Sequence, residues 1–237
     1  MNQQDSRAAR WAMVAAFRWE VSALLRKQQI VRKVGDGRFR FSLQGEPVVL
    51  AIAGAGSENA YRAACGLIRD FSVAGLVSVG FAGGLGDALA IGDLLVAEEV
   101  IEENSGARFI CDRSLLPLKF GLRGRLLSAA AVVTASEAKQ ALAKRWDALA
   151  VDMESSGVAR ASKERGLPFG AVKCITDPAD QCIAIDFHRC RSEDGGLSNW
   201  RIVREGLASP GGVRDLWRLA GSSRRAAGKL AFALCSV

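Results

Sequence analysis

No window of this 237-residue chain supplies the ~18 or more uninterrupted apolar residues that a bilayer-spanning helix needs. The apolar run from Trp11 to Phe17 is cut off by Arg18 and Glu20. It is too short for the apolar core of a secretory signal with its cleavage site, and it reads as a buried first strand. The chain is therefore expected to be soluble and cytoplasmic. Its six cysteines form no C-x-x-C pair, which fits reduced thiols better than a disulfide framework. Cys182, His188 and Cys190 could be imagined as zinc ligands, but a fourth ligand at suitable spacing is missing, so no metal is expected. Lys and Arg exceed Asp and Glu, 32 to 25. That balance would suit an anionic partner, yet no basic run interleaved with aromatics marks a nucleic-acid face. No nucleic-acid partner is expected. Internal repeats and low-complexity tracts are absent too.

What remains is ordinary globular composition, 49% hydrophobic and 24% charged, with enough chain for one large core. One domain over residues 1–237 is expected, with 178–200 a loop or lid and 199–237 a helical tail. Apolar runs at 10–17, 30–34, 39–43, 48–53, 75–79, 94–101, 126–133, 148–151 and 169–175 have strand character. Helical patterns occupy 19–28, 58–71, 137–144 and 153–165, with Gly166, Leu167 and Pro168 stopping the last. Two more helices, 199–207 and 212–234, flank Ser209 to Gly212. Strands that are apolar throughout and alternate with helices argue for an α/β fold whose mixed or mainly parallel sheet is covered on both faces.

Two of these strands end in acids. Val151-Asp152-Met153-Glu154 closes one apolar run and opens a helix, and Val172-Lys173-Cys174-Ile175-Thr176-Asp177 closes another. Acids delivered at strand C-termini are the arrangement of an α/β site that binds a sugar and protonates a leaving group. Each acid also has a plainer reading. Asp177 could cap the turn before Pro178, Glu154 could answer a helix dipole, Asp152 could be the cap itself, and Met153 could fill the core. Gly54-Ala55-Gly56 and Gly80-Phe81-Ala82-Gly83-Gly84 suit turns whose N–H groups approach a ligand closely. Asn59 stands where a dinucleotide fingerprint would need its third glycine, so that fingerprint fails.

Taken in order, Glu20-Val21, the segment from Gly54 to Ala60, the segment from Gly80 to Leu85 with Ile91-Gly92-Asp93, Val151 to Glu154 and Ile175 to Asp177 resemble the nucleoside phosphorylase and nucleosidase superfamily, which includes methylthioadenosine/S-adenosylhomocysteine nucleosidase. A closer likeness is to the hopanoid-associated phosphorylase subgroup, in Asp152 to Ser155, Thr176 to Asp180 and a basic tail containing Leu216 to Ala220. The resemblance implies one three-layer α/β/α domain around a twisted, partly barrel-like mixed sheet, commonly in a homo-oligomer. It implies cleavage of a purine nucleoside's N-glycosidic bond, with a 5′-substituted adenosine such as an adenosyl-hopanoid as the expected substrate. A methylthioadenosine/S-adenosylhomocysteine-type nucleosidase is the alternative.

Carried over by position, Asp177 would protonate the base and Glu20 would position or deprotonate the attacking water. Met153 and Glu154 would meet the ribose, and Gly56, Phe81, Ala82 and Gly83 would line the substrate. Glu20 could instead pair with Arg18 or Arg26 on a helix surface. No cofactor is implied, although phosphate could serve as co-substrate. Two departures stand out. Phe81 occupies a position where many relatives carry Ser or Thr, and Val132 to Glu137 replaces the Asp-x-Phe loop that stacks on the purine. They keep open a nucleoside- or lipid-binding protein without turnover. The tail, with Leu216, Trp217, Leu219, Leu230 and Phe232 among basic residues, could lie on an anionic membrane surface or dock on the core.

Overall fold

The computed structural model describes residues 8–86, 89–115, 118, 120–182, 190, 199–208 and 211–236. His188 of the zinc reading and most of the expected lid lie outside the described residues. In chain order the elements are β1 (Ala8–Ala15), α1 (Arg18–Lys27), β2 (Val31–Gly35), β3 (Arg38–Leu43), β4 (Glu46–Ile52), α2 (Ser57–Asp70), β5 (Ser72–Gly84) and β6 (Leu94–Glu102). They continue with β7 (Arg108–Ile110), β8 (Leu122–Ser128), α3 (Ser136–Trp146), β9 (Ala150–Asp152), α4 (Ser155–Glu164), β10 (Phe169–Asp177), α5 (Asn199–Ala208) and α6 (Gly212–Cys235).

All ten strands belong to one mixed sheet, in the order β10-β6-β8-β9-β5-β1-β4-β3-β2, with β7 on β6. Because β10 also pairs with β5, the strands β10, β6, β8, β9 and β5 close into a barrel-like circuit. The remaining strands extend from it as an open wing. Strand β5 belongs to both parts, pairing with β1 over its first half and with β10 and β9 farther on.

Burial on both faces explains why the strands read as apolar runs rather than alternating ones. Side chains of β1 divide between two layers. Trp11, Met13 and Ala15 join Val21 and Leu24 of α1 and Leu230 and Leu234 of α6. Ala12 and Val14 join Ala60, Ala64 and Leu67 of α2 and Val158 of α4. Helix α3 covers a third, smaller cluster around Leu85, Ile101, Leu127 and Val151.

Several expectations change. The glycine run Gly80–Gly84 is strand rather than turn, since β10 and β9 pair with it. The strand expected at 126–133 runs Leu122–Ser128 instead, because its pairing with β6 ends at Glu102 opposite Ser128. The helix expected from Met153 begins at Ser155: the Asp152 carboxylate accepts the Ser155 N–H at 3.1 Å, holding the chain out of the helix until there. Strand β7 had no counterpart in the sequence reading. The apolar residues of the tail do not share one outward face. Leu230 is buried, Leu216 and Leu219 line a cavity, and Trp217 and Phe232 are exposed. Among the described residues no helix is long and apolar enough to cross a membrane.

Candidate active site

Strand ends, helix starts and α6 enclose a cavity of about 720 Å³. Glu20, Phe81, Ala82, Gly83, Met153, Glu154 and Asp177 all line it. They come from α1, β5, the end of β9 and the end of β10, so chain folding brings together residues as far apart as Glu20 and Asp177. Gly56 contributes through its backbone rather than as a wall. Its N–H donates to Glu154 Oε1 at 2.9 Å.

Glu20 occupies the third position of α1, where a capping acid reaches back to the N-cap. Its Oε2 accepts the Phe17 N–H at 2.8 Å and its Oε1 accepts the Phe81 N–H at 3.0 Å. The Phe81 amide is thereby engaged by Glu20 rather than free for a ligand. Gly80 is required here: its φ is +145° and a Cβ would lie 2.8 Å from Glu20 Oε1. Gly83 is held by side-chain contact alone, since a Cβ there would lie 2.9 Å from Asp177 Oδ2. Glu20 is buried, which excludes the surface pairing with Arg18 or Arg26.

Beneath the cavity lies a buried ionic cluster that the sequence reading missed. Lys173 projects from β10, and its Nζ meets Asp152 Oδ2 at 2.9 Å. Asp152 also accepts from the Ser155 hydroxyl, which bonds to Ser78 Oγ at 3.0 Å. Burial works to depress the Lys173 ammonium, but Asp152, Glu154 and Glu20 together outweigh it and hold its proton more firmly. Burial raises Glu20, against the pull of Lys173 and the backbone N–H groups. Glu154 is pushed up to about 7 by burial and then by the negative charge of Asp152. Three carboxylates thus share one buried cation, the mutual crowding that spreads proton affinities apart at catalytic sites.

Asp177 ends β10 and is raised by burial. Opposing that are the Thr176 hydroxyl, donating to Oδ1 at 2.9 Å, and the Lys139 ammonium, 2.6 Å from Oδ2. Lys139 was also missed. It lies in the first turn of α3, in a polar stretch that has the look of solvent-facing helix. Lys173, by contrast, carried a signal: a lone cation inside an apolar strand. The base loop expected near Val132 is an apolar wall of Ala131, Val132 and Val133. In the same lining Phe17 stacks on Trp19 with centroids 4.2 Å apart. Leu216, Leu219 and Ala227 of α6 complete an apolar flank, with Arg26 and Arg224 on the same lining.

A mixed sheet closed on five strands, with carboxylates gathered at strand ends beside an apolar flank, defines an α/β protein with a mostly apolar cavity and a few convergent polar groups, the usual form of a small-molecule site. Residues 10–193 match the family model described as the phosphorylase superfamily, and the chain belongs to that superfamily. It is 25% identical over 203 residues to 5′-methylthioadenosine/S-adenosylhomocysteine nucleosidase of Staphylococcus epidermidis, covering 74% of this chain and 89% of the relative. The enzyme of the same name from Baumannia cicadellinicola is 29% identical over 163 residues, covering 58% and 71%. The crystal structure of the Neisseria meningitidis nucleosidase in complex with methylthio-immucillin-A superposes with a TM-score of 0.71 at 22% identity, covering 98% of this chain and 100% of that one.

Proposed function

We propose that the protein hydrolyses the N-glycosidic bond of a 5′-substituted adenosine, of the methylthioadenosine/S-adenosylhomocysteine kind. The observation that carries this is the convergence of Glu20, Glu154 and Asp177, each buried, from three separate elements onto one cavity. Breaking the C1′–N9 bond leaves positive charge on the ribose and negative charge on the purine. Asp177, raised by burial, donates a proton to N7 of the departing base. Glu154 accepts hydrogen bonds from the ribose hydroxyls and opposes the cationic ring. Glu20 takes the proton of the water that attacks C1′, with Phe17 and Phe81 amides fixing the direction of its carboxylate. Met153 packs on the sugar, and the apolar flank formed with α6 takes the 5′ substituent.

The relatives named above support this substrate class over the adenosyl-hopanoid expected from the sequence. Phe81 offers no side-chain hydroxyl to phosphate, which favours water as the nucleophile. The discriminating experiment is release of the free base, adenine from methylthioadenosine and S-adenosylhomocysteine, with inosine (read as hypoxanthine) and an adenosyl-hopanoid as comparisons, each with and without phosphate. Phosphate-independent release from the first two is expected. The D177N variant should lose about 10²–10⁴-fold in turnover, whereas a binding protein without turnover would show only a change in affinity.

A further inference from the structure

Among the described residues, Lys139 and Lys173 are the buried lysines. Lys173 is enclosed by carboxylates, but Lys139 has a single acidic partner. Its side chain is 0% exposed, and its ammonium donates to Asp177 Oδ2 at 2.6 Å, to the Pro178 carbonyl at 2.9 Å and to the Gln181 carbonyl at 3.2 Å. All three ammonium protons are used. Removing a lysine from water is costly unless its charge is compensated, and tying down two carbonyls needs only a neutral donor. The part of Lys139 that demands a charge is its contact with Asp177.

Resting on the nucleosidase reading above, we propose that Lys139 is a positioning residue for proton transfer to the departing base, stabilising the Asp177 carboxylate as it forms and so poising the acid to release its proton. In that step the Asp177 O–H bond breaks, an N7–H bond forms, and the electron pair of the C1′–N9 bond passes into the purine. Lys139 keeps its three protons throughout and faces the new carboxylate across 2.6 Å. Solvent reprotonates Asp177 once the products leave. Without the ammonium, each turnover would strand an uncompensated anion in a buried site.

The groups facing Asp177 are Lys139 from α3, the Thr176 hydroxyl from β10 and the backbone of Gly83 from β5. Glu20 and Arg26 of α1, Asp152 at the end of β9 and Glu154 just beyond it, Lys173 of β10 and Arg224 of α6 line or adjoin the same cavity, and all are retained in the test. The pH dependence of kcat/KM for adenine release from methylthioadenosine is measured for the wild type, K139Q and K139R. Glutamine keeps a donor for the loop carbonyls and loses the charge. Arginine keeps the charge.

Loss of an opposite charge at this range raises a carboxyl's pKa by roughly 1–3 units. In K139Q the alkaline limb, where Asp177 loses its proton, should move up by about that much, while turnover at neutral pH falls because the acid releases its proton less readily. K139R should keep the wild-type limb. An unmoved limb in K139Q, with activity reduced equally at every pH, would make Lys139 a loop tether and overturn the proposal. If K139Q does not fold, recovery of folding in K139Q/D177N supports the ionic pairing, and failure to recover overturns it. Silence of the wild type on every nucleoside would sink the nucleosidase reading and this proposal with it; an active wild type with an unmoved K139Q limb sinks this proposal alone.

Discussion

Glu154 is a residue at which proton binding and folding are directly linked. Its carboxyl is raised from 4.5 to about 7, so the native state binds a proton that the unfolded chain releases. The sign follows from linkage. This contribution to stability is fully present below about pH 4.5 and is lost as pH rises through about 7. A difference of 2.5 units corresponds to on the order of 3 kcal/mol. In E154Q the contribution should be independent of pH. Urea denaturation of wild type and variant at pH 5 and pH 8 should therefore show the wild type losing stability relative to E154Q at the higher pH. An unchanged difference would mean that Lys173 and the Gly56 amide already hold Glu154 ionised. The charge at this position was legible from the motif, but its proton affinity was not, because that depends on Asp152, Lys173 and Glu20 meeting from other elements.

At the scale of elements, the site depends on how closely helices and strands approach. Helix α4 follows directly from Glu154 and packs on α2, which follows Gly56. The approach is closest at Gly157, where a Cβ would lie 1.9 Å from the Ser57 carbonyl oxygen. Neither backbone can yield alone, so Gly157→Ala should force the two helices apart. The expected cost is about 1–3 kcal/mol of stability, read as a lower urea midpoint. It should also weaken binding of adenosine analogues, since the Gly56 N–H would move away from Glu154 Oε1. A full loss of stability with unchanged affinity would separate the packing from the site. The helices themselves were readable from their apolar spacing, whereas Gly157 inside one of them gave no hint of its partner, which lies 100 residues earlier.

For the molecule as a whole, the decisive element is α6. Ala226, Leu230, Ala231 and Leu234 pack with α1 and the β1 layer, and Leu216, Leu219 and Ala227 face the cavity. A chain ending at Ala208 would expose that layer to water. It should aggregate or lose its cooperative thermal transition, as measured by circular dichroism and gel filtration, at a cost well beyond the ~2–5 kcal/mol of one core truncation. A folded, monodisperse truncation would return α6 to the role of a detachable surface tail, for which its basic residues and the 78% exposed Trp217 would be the contact points. Both readings of the tail were open in the sequence, since an amphipathic helix carries the same pattern whether its apolar side meets a core or a membrane.

The sequence by itself determined the alternation of strands and helices, the burial of the sheet on both faces, and the acids at Glu20, Asp152, Glu154 and Asp177, because periodicity and strand-end position are local properties of the chain. Only the tertiary structure decided that β10 returns to β5 and closes the circuit, that Gly80 to Gly84 lies within a strand, and that Lys139 and Lys173 are buried among those acids. These depend on contacts between residues far apart in the chain. A lysine's burial, or a carboxyl's proton affinity, is set by what arrives beside it rather than by its neighbours in sequence.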